Sequence, residues 1–168
     1  MSVEPDFSLH PDPALASAAA QDLFERMEAM LRSLLPASAD IRHIGATAIP
    51  GCLTKGDLDI VVRVEAADFA GADAALAALF ARNTGSTHSD TFSSFESDGT
   101  SPHLGVQLTV IGAPGDFFHT FAEALTRDPD LLTRYNALKR QFDGHPMDDY
   151  RAAKSAFITS VLHGAECS

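Results

Sequence analysis

The spacing of apolar residues along the chain alternates between a helical and a strand-like period. Apolar side chains recur every three or four positions from Leu15 to Leu34, which predicts an amphipathic helix with Asp12 as its N-cap. Later segments are short, apolar or alternating, and are bounded by turn-forming residues, as strands commonly are. They predict strands at residues 41–44, 58–64, 91–95 and 103–111.

Helical spacing returns between and after these strands. The alanine-rich segment from Ala66 to Arg82 predicts a helix that connects the second strand to the third. Beyond the last strand three more helices are predicted, and an aspartate stands where each is expected to begin. These aspartates are Asp116, Asp128 and, for the third helix, Asp148 or Asp149.

The order of these elements defines a fold class. One helix, a small mixed β-sheet with a crossover helix, and a helical C-terminal part at residues 116–164 together predict an α+β protein. Residues 1–11 are expected to form an irregular lead-in. A chain of 168 residues, 45% of them hydrophobic, suffices for one core, so we expect a single domain over residues 1–168.

Composition and charge narrow the classes of partner. The net charge is −11, which would repel a nucleic acid, so a small nucleotide or a protein is the expected partner. No apolar run is long enough to span a bilayer, so no membrane association is expected. Cys52 and Cys167 are too few for a disulfide framework, and the acidic N-terminus is unlike a signal peptide; both favour a cytoplasmic location.

One short segment concentrates the candidate chemistry. A glycine turn at Gly45-Ala46 is followed ten residues later by Asp57 and Asp59, at the start of a predicted strand. On a strand the two carboxylates point to the same face about 7 Å apart, and they repel each other unless a cation lies between them. Mg²⁺ prefers oxygen ligands and leaves room for phosphates, which the N–H groups of a glycine turn can also approach. The segment suggests metal-assisted handling of a nucleotide phosphate; two solvated aspartates after a loop are the alternative.

The same segment resembles a known family. The glycine turn with its aspartate pair is similar to the motif of the polymerase-β-type nucleotidyltransferase fold. The longer string from His43 to Gly51, followed by Lys55, resembles more narrowly the GrpB-like family of that superfamily. Two predicted C-terminal helices extend the similarity, so that it covers roughly residues 15–162. The matching residues there are Tyr135, Leu138, Lys139, Tyr150, Lys154, Phe157 and Ile158.

The resemblance implies a fold and a reaction. The fold would be a small mixed sheet with flanking helices and a helical C-terminal part. Asp57 and Asp59 would be catalytic and would hold Mg²⁺, with Mn²⁺ as an alternative, and the turn at Gly45, Ala46 and Thr47 would hold the triphosphate. Thr47 would supply the hydroxyl that Ala46 lacks. The alternative for these three residues is a tight turn from strand to loop with no role in binding.

One part of the superfamily's site has no evident counterpart in the sequence. A third carboxylate usually comes from a later strand, and the strand predicted at residues 103–111 offers Gln107 and Thr109 on its polar face. Neither side chain is acidic. Glu96 and Asp98 would serve only if their loop folds back. Nucleotide binding without transfer therefore stays open.

Several residues have both a functional and a structural interpretation. Lys55 either reaches a phosphate or the aspartates, or is an ordinary surface lysine. His43 is more often a hydrogen-bonded structural residue than a catalytic one at such a position, and Cys52 is best interpreted as a small structural residue.

Two pairs on the C-terminal helices are also ambiguous. Tyr135 and Lys139 are four residues apart, as are Tyr150 and Lys154, so each pair lies on one helix face. Either they form a wall that stacks a base and binds phosphate through Lys139 and Lys154, or the rings are buried while the lysines reach water. The structural interpretation is favoured.

These features together favour a Mg²⁺-dependent nucleotidyltransferase-like protein. It would bind a nucleotide or a nucleotide-containing metabolite and transfer a nucleotidyl group to a small acceptor. One alternative is a nucleotide- or metabolite-binding module without transfer activity. Another is a protein-interaction partner whose acidic surface does the binding.

Overall fold

A five-stranded mixed sheet forms the centre of the structure and carries helices on both faces. The computed structural model describes residues 4–166, and Cys167 lies outside this range. The strands, in chain order, are β1 (Asp40–Ile44), β2 (Leu58–Val64), β3 (Ala81–Arg82), β4 (Phe92–Ser97) and β5 (Leu104–Val110). Their spatial order is β1-β2-β5-β4-β3. The α+β class predicted from the sequence is confirmed.

Five helices flank this sheet in the described part of the chain. They are α1 (Pro13–Leu34), α2 (Phe69–Leu79), α3 (Phe118–Arg127), α4 (Pro129–Phe142) and α5 (Met147–Glu166). Within residues 4–166, none of them is both long enough and apolar enough to cross a bilayer. Asp12 caps α1 as predicted, since its carboxylate accepts the N–H of Leu15 at 3.1 Å.

The two central strands, β2 and β5, pair in parallel, whereas the other pairs are antiparallel. A parallel pair needs a long connection, and here that connection contains α2, as the predicted crossover helix requires. Side chains alternate along β2, so its residues divide between two faces. The back face carries Leu58, Ile60 and Val62, and it packs on α1 and α2 in the main hydrophobic core.

The front face of the sheet is more polar. It carries Asp59 and Arg63 of β2 beside Gln107 and Thr109 of β5. Helices α3, α4 and α5 lie on this side and form a second apolar cluster around Tyr135. On the front face, therefore, charged residues of the strands are covered by the C-terminal helices α3, α4 and α5.

Several predicted helix limits are wrong: α2 begins at Phe69 rather than Ala66, and α5 begins at Met147 rather than at Asp148 or Asp149. Helix α2 ends at Leu79 rather than Arg82, because Phe80 adopts an extended backbone and residues 81–82 pair with β4 as the short strand β3. Asp116 does not cap α3, which begins two residues later. Its carboxylate instead accepts hydrogen bonds from Nε and Nη2 of Arg63 at 2.7 and 2.8 Å.

The Arg63–Asp116 pair fastens the start of α3 to the sheet. The hydroxyl of Thr109 and the N–H of Gly112 also donate to Asp116, at 3.1 and 3.0 Å, and Arg63 donates to Asp40 at 2.8 Å. Burial alone would raise the pKa of Asp116, but Arg63 and these hydrogen bonds outweigh it and lower the pKa to about 2. The ionised carboxylate is therefore part of the folded state at neutral pH.

Replacing Asp116 by Asn tests this attachment. At pH 7 we expect a loss of roughly 2–4 kcal/mol in the free energy of unfolding, because Arg63 keeps its charge without its main partner. Since the folded-state pKa is lowered, the wild type keeps this contribution above about pH 4 and loses it as the pH falls to about 2. Urea denaturation should show the two proteins converging in acid. Asp90→Asn, at an exposed position, is the control, and a difference that does not change with pH contradicts the assignment.

Candidate active site

A cavity of about 350 Å³ lies between the front face of the sheet and the C-terminal helices. Its polar lining consists of Asp59 on β2, Gln107 on β5, and Arg151, Lys154 and Ser155 on α5. The rest of the lining is apolar or glycine. It comprises Ile44, Gly45, Ala46, Ile49, Phe117, Phe118, Phe121, Ala122, Tyr135 and Ile158.

Asp59 lies in a cradle formed by two glycines. A Cβ atom at Gly45 would stand 2.6 Å from Oδ2 of Asp59, and one at Gly105 would stand 2.9 Å from Oδ1. Neither position has room for a side chain while the carboxylate stays in place. Gly45 also has a φ of 77°, which disfavours other residues. Burial raises the pKa of Asp59; the charge of Lys154 lowers it, and the charge of Asp57 raises it.

Asp57 directly precedes β2 and is held through both its side chain and its backbone. Oδ2 of its carboxylate lies 2.9 Å from Nζ of Lys55. Its carbonyl oxygen accepts a hydrogen bond from the hydroxyl of Thr47 at 3.0 Å. The Thr47 hydroxyl, expected to face a phosphate, is thus used inside the protein, and Thr47 is only 5% exposed. What the turn offers an anion is its backbone N–H groups.

His43 supports the glycine turn from the back face. Nε2 of its ring lies 2.9 Å from the Thr47 hydroxyl, and Nδ1 lies 2.9 Å from the side-chain amide of Gln21 on α1. Burial lowers the pKa of His43 to about 4, so the ring is neutral at pH 7. Because Thr47 donates to a carbonyl, Nε2 of the ring is the donor to Thr47 and Nδ1 is an acceptor, so the side-chain amide of Gln21 must turn its NH₂ group toward Nδ1. This chain of hydrogen bonds supports the structural interpretation of His43.

The position level with Asp59 on the neighbouring strand is Gly105, which offers no carboxylate. Glu96 of β4 is next in this row, but Oε2 of Glu96 approaches the ring of His103, at 4.0 Å. Oδ1 of Asp98 contacts the same ring at 2.7 Å. Within residues 4–166, no group of three or more His, Cys, Asp or Glu side chains is placed to hold a metal ion.

Lys154 brings positive charge into the cavity that Asp59 also lines. Among the described side chains of residues 4–164, no carboxylate oxygen lies within 4.0 Å of its Nζ. Arg151, one turn earlier on α5, is instead paired with Glu4 and Asp148. Lys154 is therefore the lining cation that forms no close ion pair, and its charge acts on Asp59.

Lys139 lies behind the cavity wall, in an aromatic cage made by Phe7, Tyr135 and Tyr150. Its Nζ is 5.9, 4.6 and 5.4 Å from the three ring centroids and donates to the Tyr150 hydroxyl at 2.9 Å. The tyrosines are buried as the structural interpretation predicted, but the expectation that this lysine reaches water is wrong, because Lys139 is 3% exposed. Burial, and next the charge of Lys154, lower its pKa to about 8.

Cys52 is a buried packing residue near this cage. It is 1% exposed and its thiol faces the carbonyl oxygen of Leu53 at 3.4 Å. Burial raises the pKa of the thiol, against the opposing charges of Lys139 and Lys154. A raised pKa means little thiolate at neutral pH, which agrees with a small structural residue.

Some residues that shape the cavity were not identified from the sequence. Gly105 carries a detectable signal, because a glycine inside an alternating strand often marks a close approach by another group. Phe117, Phe118 and Arg151 carry none, since their place depends on how α3 and α5 pack on the sheet.

The glycine turn, the aspartate pair and the mixed sheet define a class of protein. The structure is similar to that of a Cid1 poly(U) polymerase bound to MgATP, with a TM-score of 0.51 and 10% sequence identity. The similarity covers 74% of this chain and 40% of the polymerase chain. At this identity it shows the fold alone, which is nucleotidyltransferase-like.

The particular family follows from comparisons of sequence and structure. The chain belongs to the family described as GrpB protein, which matches residues 16–163. It is 33% identical to the UPF0157 protein VC_A0354 of Vibrio cholerae over 145 residues, 86% of this chain and 77% of that protein. The crystal structure of GrpB from Enterococcus faecalis is similar with a TM-score of 0.69 at 21% identity, covering 88% of this chain and 92% of that one. The resemblance inferred from the sequence motifs is confirmed.

Replacing Gly105 by Ala tests the cradle. Gly105 is chosen rather than Gly45 because Gly45 has a positive φ, at which any side chain would also strain the backbone. We expect a loss of roughly 1–3 kcal/mol in the free energy of unfolding, because the new Cβ would stand 2.9 Å from Oδ1 of Asp59. In an Asp59→Ala background the same substitution should cost almost nothing, so the double-mutant cycle measured by chemical denaturation should show strong coupling.

A matched control exists for this cycle. At Gly71 on α2 a new Cβ meets nothing within 4 Å, so Gly71→Ala should be neutral or stabilising in both backgrounds. Equal costs of Gly105→Ala with and without Asp59 would show that the glycine does not make room for that carboxylate.

Replacing Lys139 by Met tests the buried charge. At pH 7 we expect the free energy of unfolding to rise by roughly 1–3 kcal/mol, because burial of the ammonium lowers its pKa to about 8 from an ordinary 10.5. Between about pH 8 and 10.5 Lys139 is more protonated in the unfolded chain than in the folded one, so the wild type gains stability as the pH rises. The difference in the free energy of unfolding between the variant and the wild type should therefore become smaller. Guanidinium denaturation of both proteins at pH 7 and at pH 10 measures this difference in the free energy of unfolding. Lys55→Met, on a side chain 40% exposed, is the control; a Lys139 variant that is less stable at pH 7 would overturn the expectation.

Proposed function

We propose that this protein binds a nucleotide together with Mg²⁺ in the front-face cavity and transfers the nucleotidyl group to a small acceptor. The observation that carries the proposal is that Asp59 and Lys154 meet in one cavity. The chain as a whole has a net charge of −11, yet Lys154 forms no ion pair within 4.0 Å among the described side chains of residues 4–164. Such a pair suits a ligand that brings both a cation and anionic phosphates.

Asp59 would be the main ligand of a single hard cation, because it lines the cavity. Asp57 does not line it, and Oδ2 of Asp57 lies 2.9 Å from Nζ of Lys55, so Asp57 would support the site from the adjacent position on the chain. Mg²⁺ is commonly held by one or two carboxylates together with substrate phosphates, and Mn²⁺ accepts the same ligands. The cradle supports this fit, because the glycines at 45 and 105 leave the two oxygens of Asp59 free of neighbouring Cβ atoms. Burial raises the pKa of Asp59, and the charge of Lys154 only opposes that shift, so the ionised form that a cation requires would be favoured further by the bound cation itself. When bound, the ion supplies stabilisation of charge on the phosphate oxygens.

The phosphates would be held by cations and backbone groups of this chain. Lys154 lines the cavity, and Lys55 lies beside Asp57. The backbone N–H groups of the turn at residues 45–47 follow a glycine with a φ of 77°. Lys139 does not line the cavity and would act from behind the wall through its charge rather than by contact.

The proposed reaction is an in-line displacement at the α-phosphorus. The acceptor's hydroxyl oxygen forms the new bond to phosphorus, the bond to pyrophosphate breaks, and the hydroxyl proton passes to solvent. This chain's contribution is to align the reacting groups and to concentrate positive charge around them. The fold's similarity to a polymerase bound to MgATP supports a nucleotide as the ligand.

A second candidate function is nucleotide binding without transfer. It is favoured by Gly105, which occupies the position beside Asp59 from which a further carboxylate would complete the metal site. Two carboxylates hold one cation but leave the leaving-group oxygen with less support. Under this alternative a nucleotide binds with Mg²⁺ and no pyrophosphate is released.

Thermal unfolding with a panel of ATP, GTP, CTP, UTP and coenzyme A, with and without Mg²⁺, tests the proposal. A ligand at one hundred times its Kd should stabilise the wild type by about 2.7 kcal/mol. Asp59→Asn should abolish the Mg²⁺-dependent shift, whereas Asp22→Asn, on an exposed face of α1, should keep it. Only ligand-induced shifts are compared, because removing a buried charge changes the stability of the unliganded variant.

A pyrophosphate-release assay with the nucleotide that gives a shift then separates transfer from binding. If no nucleotide stabilises the wild type, the proposal fails. A salt-sensitive complex with another protein would then be the function that the acidic surface supports.

A further inference from the structure

Three phenylalanine rings form a stack at one end of the cavity. Phe118 lies between the other two, with its ring centroid 6.2 Å from that of Phe92 and 4.4 Å from that of Phe117. The interplanar angles are 13° and 19°, so the rings are close to parallel. Phe117 and Phe118 both line the cavity and are half-buried. Phe117 ends the stack, and among residues 4–166 its second face meets no other aromatic ring.

The register of the sheet places this stack away from the aspartates. Phe92 pairs with Thr109, and Asp59 pairs with Gly105, four residues earlier on the same strand β5. Four residues of strand span roughly 13 Å. The stack therefore lies along the sheet from Asp59, and Gln107, which also lines the cavity, occupies the intermediate position on β5. A nucleoside with a chain of phosphates is elongated in the same way, with a flat ring at one end and charge at the other.

The stack is held in place before any ligand arrives. Phe92 belongs to a strand of the sheet, and the turn at Gly115 packs so closely on it that a Cβ there would stand 3.1 Å from its ring. Phe117 follows Asp116, whose carboxylate is bound by Arg63 on β2. A ring that is already fixed loses little conformational freedom on binding. A ligand that stacks on Phe117 would therefore lose less affinity to ordering than one that stacks on a mobile side chain.

We infer that the second face of Phe117 is the stacking platform for the base of a nucleoside phosphate whose phosphates bind at Asp59 and Lys154. The inference rests on the proposed function and assigns the residue that recognises the base, which is the part of a nucleotide that sugar phosphates and inorganic polyphosphates lack. Every base has a flat π-face, so stacking admits all of them. Gln107, which offers both an amide donor and a carbonyl acceptor, faces the sugar or the base edge.

Two probes that differ only in the nucleoside test the platform. Calorimetric titration with Mg²⁺ compares ATP with inorganic tripolyphosphate, which has the phosphate chain and no ring. For the wild type we expect tighter binding of ATP. Phe117→Leu should weaken ATP binding roughly tenfold or more, because base stacking on an aromatic side chain is lost, and should leave tripolyphosphate binding unchanged.

Two control variants and one fluorescent variant complete the test. Phe80→Leu removes a ring that packs on the back-face core and should leave both affinities as they are. Asp59→Asn should weaken both probes alike. The chain contains no tryptophan, so Phe117→Trp adds a single reporter whose emission should change on adding ATP with Mg²⁺ and not on adding tripolyphosphate.

The possible outcomes separate this inference from the proposed function. If the wild type binds the two probes equally well, or if Phe117→Leu weakens both alike, the platform is overturned while the phosphate site stands. If the wild type binds neither probe, both proposals are overturned. Loss of ATP affinity alone in Phe117→Leu, with a normal melting temperature, supports the platform.

Discussion

The structure depends on the parallel register of β2 and β5, the two central strands. In this register the carboxylate of Asp59 stands beside the one residue of β5 that has no side chain, Gly105. A slip of one residue would bring Leu104 or Val106 to that position and would also exchange the two faces of the strand. The apolar back face and the polar front face are thus fixed by the same pairing that opens space around Asp59. Gly45 then closes the cradle from the edge of the sheet.

Charged groups on the front face fall into two sets with different roles. Arg63 is enclosed by Asp40 and Asp116, and this compensated cluster attaches α3 to the sheet. At the other end of the same strand, Asp59 and Lys154 share a cavity without closing into an ion pair. The first set stabilises the fold because its charges are paired and hydrogen-bonded. The second leaves charge available to a ligand, which is typical of a binding site.

Local patterns in the sequence were sufficient for much of the fold and for part of the site. The glycine turn, the strand that carries Asp59 and the cap of α1 each depend on residues that are neighbours in the chain. Asp116 was misread because an aspartate before a helix looks like a cap, while its partner Arg63 lies 53 residues away. The burial of Lys139 has the same origin: the cage that encloses it draws Phe7, Tyr135 and Tyr150 from three separate segments. Such contacts depend on tertiary packing, which no local spacing encodes.

The aromatic cage links the N-terminal lead-in to the protonation of a lysine. Phe7 is 1% exposed, stacks on Tyr150 at 3.8 Å, and is held by two backbone hydrogen bonds, to His145 and from Gly144. The lead-in is also attached by Glu4 to Arg151, by the N–H of Leu9 to Asp143 and by the N–H of His10 to the carbonyl of Thr54. Terminal segments nevertheless open locally at a lower free energy than the whole fold. When it opens, Lys139 meets water and its pKa returns from about 8 toward that of an ordinary lysine, so opening takes up a proton in mildly alkaline solution. Local opening of the lead-in and protonation of Lys139 are therefore thermodynamically coupled, and the coupling reaches the cavity through Tyr135, which both lines the cavity and contacts Lys139.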